Sequence, residues 1–201
     1  MGESQRRKAA MIQAHLQVME GLTADKTTIA KTAISLFENF VLPLRYNGGC
    51  YLTTMFLHRY LREEAGIITE PTVGYVNDGT DDIMMSHAWL EFDGLKTDIT
   101  LYILDPVSAA PNGSVLILDR VLHAGEVQHS YHREQTVAGA AKTNEMLADP
   151  RLRALVQHKE REHREMLARM TDPDLAATYM AQAPSGLRYA DLCTAVNRPA
   201  K

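Results

Sequence analysis

At 201 residues, 45% hydrophobic and 23% charged, the chain is long enough to bury a substantial core, and it reads as one domain with helical extensions. A formal net charge of -4 without a dense Lys/Arg run argues against a nucleic-acid partner, and no apolar run approaches the length of a membrane span. Two cysteines, Cys50 and Cys193, are too few for a disulfide framework, and the first residues lack the apolar core of a signal peptide; reduced thiols and a cytoplasmic location are expected.

Residues 4–20 place Met11, Ile12, His15, Leu16 and Met19 at helical spacing, and Gly21 punctuates the run. A second helix follows, with Asp25 as its cap and Ile29, Ala33, Leu36, Phe37 and Phe40 as one stripe; Pro43 ends it. Both are expected to cover the helix or the sheet that comes next. Asn47 is a good N-cap, and Gly48-Gly49 let the backbone turn before a helix that opens at Cys50 and runs to a stop at Gly66. Apolar side chains cover most of that helix, so it should be central and buried. A cysteine in its first turn feels the positive end of the helix dipole and unpaired N–H groups, which favour thiolate and could donate to an oxyanion. Tyr46 and Asn47 are further donor candidates just upstream.

Thr72 to Val76 reads as a strand, turned by Asn77-Asp78-Gly79. The acids from Asp78 to Asp82 form a solvated loop and do not match a calcium-loop pattern. Asp93-Gly94 between two apolar and β-branched runs signals a two-residue hairpin. In that register Phe92 faces Leu95, Glu91 faces Lys96, Leu90 faces Thr97, Trp89 faces Asp98, Ala88 faces Ile99 and His87 faces Thr100. Alternation then gives Ala88, Leu90, Phe92, Leu95 and Ile99 to the core, and His87, Trp89, Glu91, Lys96, Asp98 and Thr100 to the other face. His87 and Asp98 become diagonal neighbours, about 7–8 Å apart at the backbone, and a one-residue slip would separate them.

Leu101 to Leu104 extends the sheet until Pro106, and residues 108–113 read as loop. Val115 to Leu118 fits either a buried strand or the start of a helix reaching His123. His123, His129 and His132 cluster in sequence but match no metal-ligand spacing, so no metal is assigned. From Asp149-Pro150 a charged helix runs to Met170, with Leu152, Leu155, Val156, Met166 and Leu167 as its buried stripe. His158, Glu162 and His163 lie on it with the wrong spacing for a zinc helix and read as part of a solvated face. Thr171-Asp172-Pro173 caps a short helix to Ala183, and a last helix spans Leu187 to Val196, carrying Cys193 in a structural position.

Gly49-Cys50 opening a helix, His87-Ala88-Trp89-Leu90-Glu91 on a strand and Asp98-Ile99-Thr100 after it resemble the core of the transglutaminase-like cysteine peptidase superfamily. The stretch is especially similar to the leader-peptide proteases of lasso-peptide biosynthesis. The resemblance implies an α+β fold with a papain/transglutaminase-like core, in which the nucleophile helix packs on an antiparallel sheet. Extra helices would lie on both sides in sequence: residues 1–45, a core over 46–120 and a mainly helical extension over 121–201. It implies Cys50 as nucleophile, His87 as base and Asp98 as the acid that orients it. The expected activity is thiol-dependent hydrolysis of a peptide or other amide bond through a thioester, with no cofactor. An acyltransferase or transglutaminase could use the same three residues, and a non-catalytic member would bind a protein partner instead. The expected partner is a peptide, protein or small amide substrate, with no nucleic acid and no membrane.

Overall fold

The computed structural model describes residues 2–103, 111–182 and 187–198. The fold is mixed α+β, helices around an antiparallel sheet. Helix α1 (Glu3–Met19) leads to α2 (Ala24–Leu36), which continues through a wide π-type turn (Phe37–Val41) into a single turn, α3 (Leu42–Leu44). Helix α4 (Cys50–Ala65) precedes strands β1 (Glu70–Asn77), β2 (Met85–Phe92), β3 (Leu95–Thr97), β4 (Val115–Ile117), β5 (Arg120–His123) and β6 (Ser130–His132). Helices α5 (Val137–Ala148), α6 (Arg153–Thr171), α7 (Pro173–Ala181) and α8 (Tyr189–Val196) complete the order. Among the described residues no helix is long and apolar enough to cross a membrane.

The main sheet runs β3-β2-β1-β6, and β4-β5 forms a separate hairpin. Leu52, Phe56, Leu57 and Leu61 of α4 join Val73 of β1 and Ala88 and Leu90 of β2 in one buried cluster, together with Ile29, Ala33, Leu36, Phe37 and Phe40. The second helix and its stripe therefore do cover α4. Helix α1 packs instead chiefly on β5 of the second sheet, where Arg120 donates to the carbonyls of Val18 and Glu20 near its C-terminus. Its buried side is set by Val18, while Ile12 and Leu16 are exposed, so the stripe is rotated from the one the sequence suggests.

The hairpin register holds where two strands remain side by side: Phe92 pairs Leu95, Glu91 pairs Lys96 and Leu90 pairs Thr97. Asp93 and Gly94 both take positive φ, as the tight turn requires. Beyond Thr97 the predicted pairs of Trp89 with Asp98, Ala88 with Ile99 and His87 with Thr100 do not form. Strand β4 competes for the chain there: Asp98 N–H donates to Leu116 O and Leu116 N–H to Asp98 O, each at 2.8 Å, and Leu118 N–H donates to the Thr97 hydroxyl at 3.1 Å. The face expected to be polar is buried, with Trp89 at 1% and His87 at 5% exposure.

Leu101 to Ile103 forms a turn rather than more sheet, and Leu104 lies outside the described residues, as does the first half of the 108–113 loop. Val115 begins a strand, not a helix, and β4 turns into β5 through Leu118 and Asp119, both with positive φ. In the C-terminal part, α6 buries Val156, His163 and Met166, whereas Leu155 and Leu167 are exposed. The Asp172 side chain caps α7 by accepting from the Asp174 and Leu175 amides, as its place before Pro173 predicts.

Candidate functional site

Cys50 is the first residue of α4, but Asn47 does not cap the helix; Gly49 is the N-cap and no side chain serves. Two different demands fix the glycine pair. Gly48 has φ +63, and a Cβ on Gly49 would collide with the Tyr46 ring. The first intrahelical bond is Thr53 N–H to Gly49 O at 2.9 Å, which leaves the amides of Cys50, Tyr51 and Leu52 ahead of the hydrogen-bonded ladder. Cys50 is buried, at 8% exposure, and both cysteines are free.

His87 and Asp98 meet despite the lost ladder pairs: His87 Nε2 lies 2.6 Å from Asp98 Oδ2, with both groups buried. The second ring nitrogen, Nδ1, is left for other partners. Burial works most strongly on the ring, against its charged form. The charge of Asp98, then that of Cys50, and the hydrogen bond to Asp98 outweigh it and raise the His87 pKa to about 10. Asp98 feels the converse. Burial disfavours its charge, but the His87 charge, the bond to His87 and donors from Thr100 and Tyr131 hold its carboxyl below the usual range. His87 and Asp98 thus meet beside the β3-β4 crossing, and Cys50 at the start of α4 acts on the ring through its charge.

Asp98 is anchored from both oxygens. Oδ1 accepts from the Thr100 amide at 3.0 Å and the Thr100 hydroxyl at 3.1 Å, and Oδ2 accepts from the Tyr131 hydroxyl at 2.8 Å as well as facing His87. Tyr131 sits on β6 and packs edge-on against Trp89 at 5.2 Å between ring centroids. Burial and the adjacent Asp98 charge raise its phenol pKa, so it stays a donor. Sequence reading missed it, because β6 is three residues long and its only outward signal is the alternation through His129, Ser130 and Tyr131.

A second polar chain flanks the pair. Tyr51 hydroxyl lies 2.5 Å from Ser86 Oγ, and Ser86 Oγ lies 2.6 Å from His163 Nδ1. Tyr51 follows Cys50 and Ser86 precedes His87, so the chain ties α4 to β2 beside the thiol. His163 is therefore not on a solvated face: it is buried at 5% exposure and stacks on Tyr75 with ring centroids 4.4 Å apart. Burial, then the Arg164 charge, lowers its pKa and keeps the ring neutral. Three tyrosines feel the Cys50 charge. Burial and the Cys50 charge raise the phenol pKa of Tyr46 and of Tyr51, and push that of Tyr179 up to about 12. Asn47 is exposed.

Of the three histidines clustered in sequence, His123 packs between Phe37 and Tyr102 and His132 contacts Ser130, while His129 is buried beside Gly113, where burial and then the His87 charge lower its pKa. Among the described residues no three His, Cys, Asp or Glu side chains are grouped to hold a metal ion. Burial, as the largest influence, pushes the Cys193 thiol up. No family model, curated protein or solved structure matches the chain.

Proposed function

We propose that the chain is a thiol-dependent hydrolase of a peptide or other amide bond, built on a papain/transglutaminase-like core. The observation that carries this reading is the buried 2.6 Å contact between His87 Nε2 and Asp98, with Cys50 acting on the same ring from the start of α4. Asp98 would fix the ring so that Nδ1 faces the sulfur. At neutral pH His87, with its pKa raised, already holds the proton as an imidazolium, and the Cys50 thiolate attacks the substrate carbonyl carbon to give a tetrahedral oxyanion. Amides of the first turn of α4 are the natural donors to that oxygen. Collapse breaks the C–N bond, and the proton on His87 passes to the leaving amine. Water then loses a proton to His87 as its oxygen attacks the thioester. The carboxylic acid departs with the thiolate as leaving group, and the proton stays on His87.

The test is hydrolysis of a peptide library read by mass spectrometry, with Cys50→Ala and Asp98→Asn as controls. Expected is cleavage abolished by Cys50→Ala and slowed to a lesser degree by Asp98→Asn, since orientation is lost but the nucleophile remains. Cleavage that survives Cys50→Ala would overturn the proposal.

A further inference from the structure

On another side of α4, facing α6 and α7, lies a cavity of about 260 Å³. Its charged lining is Arg59, Arg62 and Arg169 against a single carboxylate, Glu63. Two of the guanidinium groups are held in place. Arg59 Nε donates to Glu63 at 2.9 Å and its guanidinium lies 4.1 Å from the centre of the Tyr189 ring. The Arg169 guanidinium lies 4.9 Å from the centre of the Tyr179 ring, with Glu165 at 3.4 Å. Arg62 is exposed and, among the described residues, makes no ion pair. The floor is different in kind: Met55, Met170 and Met180, with Pro71 at the edge, give it an adaptable apolar surface.

We infer that this cavity binds a carboxylate carried on a short apolar body. Three guanidinium groups, two of them preordered, against Glu63 in the lining and Glu165 behind Arg169 leave an excess of one positive charge that one carboxylate would balance, and planar guanidinium suits carboxylate geometry. The methionine floor excludes a fully hydrated inorganic ion as the best occupant, because it would leave that apolar surface uncovered. Cys50 does not line the cavity, so the site stands independently of the thiol chemistry.

The two sources of such a group are a chain-terminal carboxylate and an acidic side chain. The test is a titration of the full chain carrying 13C-methyl methionine, followed by NMR, with three probes. N-acetyl-leucine offers a terminal carboxylate, N-acetyl-leucyl-glutamate α-amide only a side-chain carboxylate, and N-acetyl-leucinamide the same body without charge. At least one carboxylate probe is expected to shift the Met55, Met170 and Met180 methyl signals at concentrations where the amide shifts none, and the tighter of the two identifies the source. Arg62→Gln, a change at an exposed position, is expected to weaken that binding about 5-fold, the size of one partly exposed ion pair. An amide that matches the acids, shifts confined to other methionines, no shift with any probe, or unchanged affinity in Arg62→Gln would overturn the inference.

Discussion

At the scale of single residues, the site depends on a charge arrangement that water would not sustain in a buried place. His87 at 5% and Asp98 at 3% exposure are each costly alone, and each is made tolerable by the other. The pH dependence follows from the signs. His87 is raised from 6.5 to about 10, so its contribution to stability is complete below about pH 6.5 and is lost as pH climbs through about 10. Asp98 is lowered from 3.8, so its contribution is present above that pH and is lost in acid. At neutral pH both are in force. His87→Gln should therefore cost about 3–5 kcal/mol at pH 7, the usual penalty for stranding one member of a buried pair. Urea denaturation is the check: the gap between wild type and variant should narrow above pH 10, where the wild-type ring also loses its charge. A gap independent of pH would contradict the pairing.

At the scale of elements, what positions the site is the place where regular pairing gives way. Strand β3 keeps its partner for three residues and then yields Asp98 to β4, which puts the carboxylate where His87 can reach it while Tyr131 of β6 donates to the same oxygen and Thr100 holds the other. The turn from β4 to β5 explains why this hairpin was hard to read. Leu118 and Asp119 both adopt positive φ without a glycine between them, so the usual turn signal is missing. Helix α6 enters the same region through His163, whose bond to Ser86 and stacking on Tyr75 join the C-terminal helices to the sheet. His163→Ala should cost about 1–3 kcal/mol in thermal or urea unfolding, because Ser86 loses a buried partner and a cavity opens against Tyr75. Arg164→Ala, one residue along on the exposed side, should cost less than about 0.5 kcal/mol. Equal effects would mean that the Tyr51-Ser86-His163 chain does not couple α6 to the rest of the protein.

For the molecule as a whole, the parts legible in sequence were those fixed by short-range chemistry. Gly66 at the end of α4, Asp93-Gly94 between β2 and β3, and Asp172-Pro173 before α7 each announce a local geometry, and each falls where expected. Long-range partners were not legible. Nothing near Ser130 to His132 says that it will pair with β1, and nothing on α6 says that His163, among charged neighbours, turns inward. Asp98 and His87 were matched by the wrong pairing logic, since the sheet ladder they were assigned to ends first, and yet the side chains meet. The central claim is that this meeting activates Cys50. The direct measurement is the rate of iodoacetamide alkylation at each cysteine near neutral pH, resolved by peptide mass spectrometry, in wild type and in His87→Ala. Cys50 should react faster than Cys193, whose thiol burial pushes up, and should slow in the variant while Cys193 does not. Equal, sluggish modification of both thiols, or a Cys50 rate indifferent to the loss of His87, would contradict the account.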